Sequence, residues 1–189
     1  MAQSLYNGLL HRCSNTSGGA MRALKIIGLA LIAGGIAISI NILLLNLADA
    51  LGIVTARGGL QRLVKLWVTA PITRSGIGEI WGGLGLPGPD SAVFRTGFKV
   101  CVGLGMAIFY ALVLETRLPG GTLSKGLAYA LFAWLLNAFA VLPLLGEGIA
   151  GSRVLTVFGM LWFAVAHTVF FIAVAVIYER FTRSQLLSR

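Results

Sequence analysis

Acidic residues are scarce in this chain. Six Asp and Glu occur in 189 residues, and all six fall in loops or at the ends of apolar runs. No pair of carboxylates is placed for acid–base chemistry, and no Ser–His arrangement stands in for one, so no enzymatic activity is expected. Histidine is equally sparse. His11 lies in a polar tail and His167 in an apolar run, so a bis-His haem site lacks its second ligand. The two cysteines, Cys13 and Cys101, are isolated. They make neither a metal site nor an evident disulfide. No cofactor is expected. Charge as a whole is low, at 11 % of residues, where a soluble domain carries about 25 %.

Apolar residues take the place of charge. They make up 57 % of the chain, with a mean hydropathy of +0.89. The solvent for most of the chain is therefore lipid. The net charge of +9 does not point to nucleic acid, because the 15 Lys and Arg lie mostly in tails and loops, where anionic head groups attract them. No basic segment is interleaved with aromatics on a soluble domain.

Four runs are long enough to cross a hydrocarbon core of about 30 Å at 1.5 Å per residue. They fall near 24–48, 94–115, 126–145 and 154–179. In the second run, Arg95 and Lys99 reach back to the head groups along their aliphatic stems, which lets the helix start near Ala92. The expected fold is all-α: a polytopic membrane protein built as a four-transmembrane-helix bundle. Residues 1–21, rich in Ser, Asn and Gly, read as a disordered tail, with Met21 as a second, more typical start. Residues 22–179 form the membrane domain and 180–189 a basic tail. Ala48-Asp49-Ala50 resembles a signal-peptidase site, but the run before it is too long for a signal peptide.

The loop Thr55–Arg95 has internal pattern. Leu60, Leu63, Val64 and Trp67 share one helical face, while Arg62 and Lys65 lie towards the other. This predicts a short interfacial helix near 59–70, ended by Pro71, with Trp67, Arg62 and Lys65 at the membrane surface. The glycines of 76–83 lack the strand and the Gly-Lys-Ser/Thr of a phosphate loop, so this stretch reads as flexible loop.

Polar and small residues inside the spans set the remaining expectations. In the first span Gly28, Ile32, Gly35, Ser39, Ile42, Asn46 and Asp49 recur in steps of three and four. This predicts a packing face inside the bundle. Gly103, Ala107 and Ala111 make a second small-residue ridge. Asn137 and His167 sit near the middle of the last two spans, about 3 Å apart in depth. An interhelical hydrogen bond between them is the expected outcome. A proton site using His167 with Asn41, Asn46 and Asp49 is the functional alternative. The positive-inside rule weighs eight cations against seven and barely chooses. Arg22 and Lys25, flanking the first span, favour cytoplasmic termini.

Trp134, the turn Leu142-Pro143-Leu144-Leu145-Gly146-Glu147-Gly148, His167 and Tyr178 resemble a pattern in small four-span proteins of bacterial inner membranes, the YagU-like proteins. The likeness covers about residues 97–178 and departs after His167, where Phe and Ala replace Gly. It implies a four-helix bundle in a bacterial inner membrane and no particular reaction. The expected role is an accessory or stress-related membrane component. It would act through lipids, a protein partner or a second copy docked on small-residue faces, and not through nucleic acid. The alternative is a small transporter or ion-conducting component using His167, Asn41 and Asn137. That alternative requires a hydrated cavity lined by these residues, whereas an accessory protein requires a dry, closed bundle.

Overall fold

The computed structural model describes residues 2–55, 59–74, 79–80, 83–85, 87–88 and 91–187. Side chains are described for these residues apart from 2–18, 20, 67–74 and 185–187. Five helices dominate the described residues, and no strand occurs among them. They are α1 (Ala2–Ala50), α2 (Gly59–Arg74), α3 (Ala92–Arg117), α4 (Thr122–Leu144) and α5 (Val157–Leu187). Four segments are long and apolar enough to cross a membrane: Met21–Ala50, Ala92–Arg117, Thr122–Leu144 and Val157–Ser184. They match the four predicted spans.

The spans alternate in direction. Asn41 meets Ala166 and Leu44 meets Trp162, so α1 and α5 run antiparallel. Gly34 packs on Ala107 and Gly103 on Ile38, which makes α1 and α3 antiparallel as well. A Cβ on Gly34 would stand 2.7 Å from that of Ala107. The backbones approach this closely only because both residues are small. The predicted Gly103–Ala107–Ala111 ridge is therefore the contact of α3 with α1. Gly126 does the same for α4, where a Cβ would lie 3.0 Å from the Ile172 Cα of α5.

The predicted stripe on α1 does not face the bundle along its whole length. Ala30, Ala33, Ala37, Ile38, Asn41 and Leu45 are the buried face. Gly28 and Gly35 have open space where a Cβ would be, and Ile32 is 52 % exposed. In lipid both faces of a span are apolar. The packed face is then chosen by fit to the partner, and here Gly34 and Ile38 fit Ala107 and Gly103.

Helices also extend further than expected. α1 begins at Ala2, so the residues expected to form a disordered tail are helical. Propagating a helix adds one bond per residue once the span has nucleated it, and no proline interrupts 2–50. The basic tail behaves likewise, since α5 runs to Leu187 and Glu179 pairs with Arg183 one turn on. α2 continues through Pro71 to Arg74. A proline removes one helical bond and crowds one carbonyl, which can kink a helix without ending it.

Two helices contain π-helical turns, Tyr110–Leu114 in α3 and Asn137–Val141 in α4. The second ends two residues before Pro143. That residue has no N–H, and its ring crowds the carbonyl of the preceding turn, so the widened turn accommodates it. α4 then ends in a Schellman motif. Glu147 N–H donates to Leu142 O and Gly146 N–H to Pro143 O, with Gly146 at φ 77° as the left-handed residue that this cap needs. The Leu142–Gly148 turn is thus a helix cap.

Candidate functional site: a half-open cavity in the bundle

α3 rests on α1 along much of its length but packs against α5 chiefly through Tyr110–Leu114. Its first half stands off from α4 and α5. The gap is a cavity of about 740 Å³, within the range of small-ligand sites. All five helices contribute to its wall. Asn41, Ile42 and Asn46 come from α1, and Gly59, Leu60 and Gln61 from α2. α3 gives Arg95, Thr96, Lys99 and Val102, α4 gives Ala133 and Asn137, and α5 gives Phe163, His167, Phe170 and Phe171.

The far end is closed by aromatic rings. Tyr110 stacks on Tyr129 with centroids 6.1 Å apart, and meets Tyr178 edge-on at 6.2 Å. Tyr129 lies 4.3 Å from Phe171, and its hydroxyl donates to Met106 O at 3.2 Å. This ties α4 to α3 just below the cavity. The near end lies among the starts of α3 and α5 and the ends of α1 and α4. There α2 reaches across. Gly59 sits against Leu142 and Val141, and Arg62 forms an ion pair with Glu147. The predicted helix exists, but Arg62 is engaged by the bundle. The Trp67 side chain lies outside the described residues. Lys65 is exposed.

Four of the five predicted polar residues line the one cavity: Asn41, Asn46, Asn137 and His167. Asp49, exposed in the last turn of α1, does not. Their bonding differs from expectation. Asn137 Nδ2–H donates to Ala133 O at 2.9 Å, and His167 Nδ1 lies 2.9 Å from Phe163 O. Each therefore bonds the carbonyl one turn back in its own helix, and the two do not bond one another. That carbonyl is in reach without any movement of the helices. The interhelical bond belongs to Asn41, whose Nδ2–H donates to Ala166 O of α5 at 2.9 Å. Trp162 Nε1–H adds a second, to Leu44 O at 3.0 Å. With Nδ1–H directed at a carbonyl, neutral His167 presents Nε2 as an acceptor.

Arg95 and Lys99 were read from the sequence as head-group anchors only. Both line the cavity, and among the described residues no Asp or Glu does. The sequence signal for this was present: Arg95, Lys99, Val102 and Met106 are spaced four, three and four apart, on one helical face. Chemically, the site has cations near its mouth, neutral amide and imidazole groups below them, and an aromatic floor. No family model, curated protein or solved structure matches this chain.

Proposed function

We propose that the protein is a ligand-handling membrane protein, a small transporter or binding component that admits a solute into its bundle from one membrane face. The observation that carries this reading is the cavity of about 740 Å³ that brings Asn41, Asn137 and His167 together. A protein working only through its outer surface needs no such space, and a polar-lined cavity between spans is where membrane carriers bind their cargo. Closure at one end by the tyrosine cluster fits a site loaded from a single side. We further assign it to a bacterial inner membrane with both termini cytoplasmic. The resemblance to YagU-like proteins and the cations Arg22, Lys25, Arg180 and Arg183 at the termini-side ends of α1 and α5 support that assignment. The cavity then opens to the periplasm.

The test is thiol labelling in proteoliposomes, starting from a variant with Cys13→Ser and Cys101→Ser. Val102→Cys, in the cavity wall, is expected to react with an impermeant methanethiosulfonate from the loop face alone. Ala175→Cys, in the closed end, is expected to react from neither. If Val102→Cys is unreactive from both faces, the cavity is dry and the accessory-protein reading replaces this one.

A further inference from the structure

The inner polar groups of the cavity define what a ligand must bring to them. A carbonyl oxygen and a ring lone pair repel one another, so His167 Nδ1, which lies 2.9 Å from Phe163 O, carries the ring proton. The neutral ring has no other donor, and Nε2 is left able only to accept. Asn137 and Asn41 have likewise each turned an amide N–H to a backbone carbonyl, of Ala133 and Ala166 respectively. Water serves an acceptor in an open cavity. A ligand that displaces this water must supply a donor in its place, or leave a desolvated nitrogen unpaired. That donor is neutral. A desolvated ammonium needs a counter-charge, and among the described residues no carboxylate lines the cavity.

The surroundings of Nε2 narrow the ligand further. Phe163, His167 and Phe170 are spaced four and three apart, so they share one face of α5, with a phenyl ring one turn to either side of the imidazole. All three line the cavity, and the Phe163 ring centroid is 4.1 Å from that of His167. From α4, Ala133 contributes only a methyl group to the wall beside Asn137. Aromatic walls favour a ring over an aliphatic group of similar size, because ring edges and ring faces attract. We propose that the cavity binds a neutral aromatic hydroxyl compound, a phenol or hydroquinone. Its O–H donates to His167 Nε2, and its ring packs against Phe163 and Phe170. The proposal rests on the open-cavity reading above and adds the chemistry of the occupant.

The experiment uses the full chain in nanodiscs of zwitterionic phosphatidylcholine, with binding counted above that of empty nanodiscs. Four probes separate the parts. Para-hexylphenol carries ring and donor, and its methyl ether keeps the ring without the donor. Hexylcyclohexanol keeps the hydroxyl without the aromatic ring, and para-hexylbenzylamine replaces the neutral donor by an ammonium. The phenol is expected to bind at least about tenfold more tightly than the ether and the amine. It should exceed the cyclohexanol by about threefold or more. His167→Leu is expected to remove the advantage over the ether. Equal binding of the ether would overturn donation to Nε2, equal binding of the cyclohexanol would overturn the aromatic seat, and equal binding of the amine would assign the site to cations. A spectroscopic arm needs no change in the cavity. Replacing His11→Gln leaves His167 as the only histidine, and its ring nitrogens are isotopically labelled for magnetic resonance. The phenol should move the Nε2 resonance and the ether should not, with Nδ1 keeping its proton throughout. An Nε2 resonance unmoved by saturating phenol would overturn the proposal, even if the His167→Leu variant fails to fold. The thiol-labelling result stands apart from all of these, because it reports whether the cavity is open and not what fills it.

Discussion

Removing the cation from the Arg62–Glu147 pair should cost more than removing the anion. The Glu147 side chain is 9 % exposed and that of Arg62 is 49 % exposed. Glu147 Oε2 is buried and has no hydrogen-bond partner, so the carboxylate depends on Arg62 for compensation. Arg62→Gln leaves a buried charge unpaired. Breaking a fully buried pair in this way costs about 3–5 kcal/mol, whereas exposed pairs contribute about 0–1 kcal/mol. With one partner half in solvent, we expect about 1–2.5 kcal/mol. Glu147→Gln removes the charge itself and leaves a guanidinium that water can solvate, so we expect about 0.5–1 kcal/mol. The double Gln variant should cost less than the sum of the two. The assay is reversible unfolding in maltoside micelles on adding dodecyl sulfate, followed by tryptophan fluorescence and analysed as a double-mutant cycle. Equal single effects that add within about 0.3–0.5 kcal/mol would refute the argument. They would mean that α2 does not hold to the end of α4 through this pair.

Further outcomes follow from the packing and the topology. Asn41→Leu removes the hydrogen bond to Ala166 O and should lower stability by about 0.6–1.7 kcal/mol. In the same unfolding assay His167→Leu and Asn137→Leu should combine additively, since each bonds its own helix. Gly159→Ala should be poorly tolerated, because its Cβ would run into the Val54 carbonyl, with a melting temperature well below that of the parent. Gly28→Ala and Gly35→Ala meet open space and should be neutral or gain up to about 1 kcal/mol from helix propensity. Reporter fusions at Arg189 and in the 118–121 turn should report one compartment, because four spans return the chain to its starting side; opposite compartments would sink the span count.

The spans were legible because lipid imposes length and apolarity on any crossing helix, and runs such as Ile26–Ala48 satisfy both. Which face of a span packs was not legible from that stripe alone. α1 carries small residues on two faces, Gly28 and Gly35 on one and Ala30, Ala33 and Ala37 on the other. Lipid supplies no polarity contrast to choose between them, so the choice depends on Gly103 and Ala107 across the contact. The cavity was half legible. Asn41, Asn137 and His167 stood out as polar groups in apolar runs, and the depth estimate brought the last two to one level. Depth alone does not fix rotation about the helix axis. The π-helical turn beginning at Asn137 and the i−4 carbonyls that capture both side chains therefore went unseen. Arg95 and Lys99 were hidden because the head-group reading accounts for a cation near a span end, yet such a cation can reach head groups and line a cavity at once.

The central claim, an open polar cavity inside the bundle, is tested most directly by collision relaxation of spin labels in the Cys13→Ser, Cys101→Ser protein reconstituted in lipid. One label replaces Met106 at the cavity floor, and the other replaces Leu131, which is 58 % exposed on the outer surface of α4. The account predicts that a water-soluble nickel chelate relaxes the label at 106 more effectively than oxygen does, and that the order is reversed at 131. Preference for oxygen at both positions would contradict it, because the space around Met106 would then be closed to water.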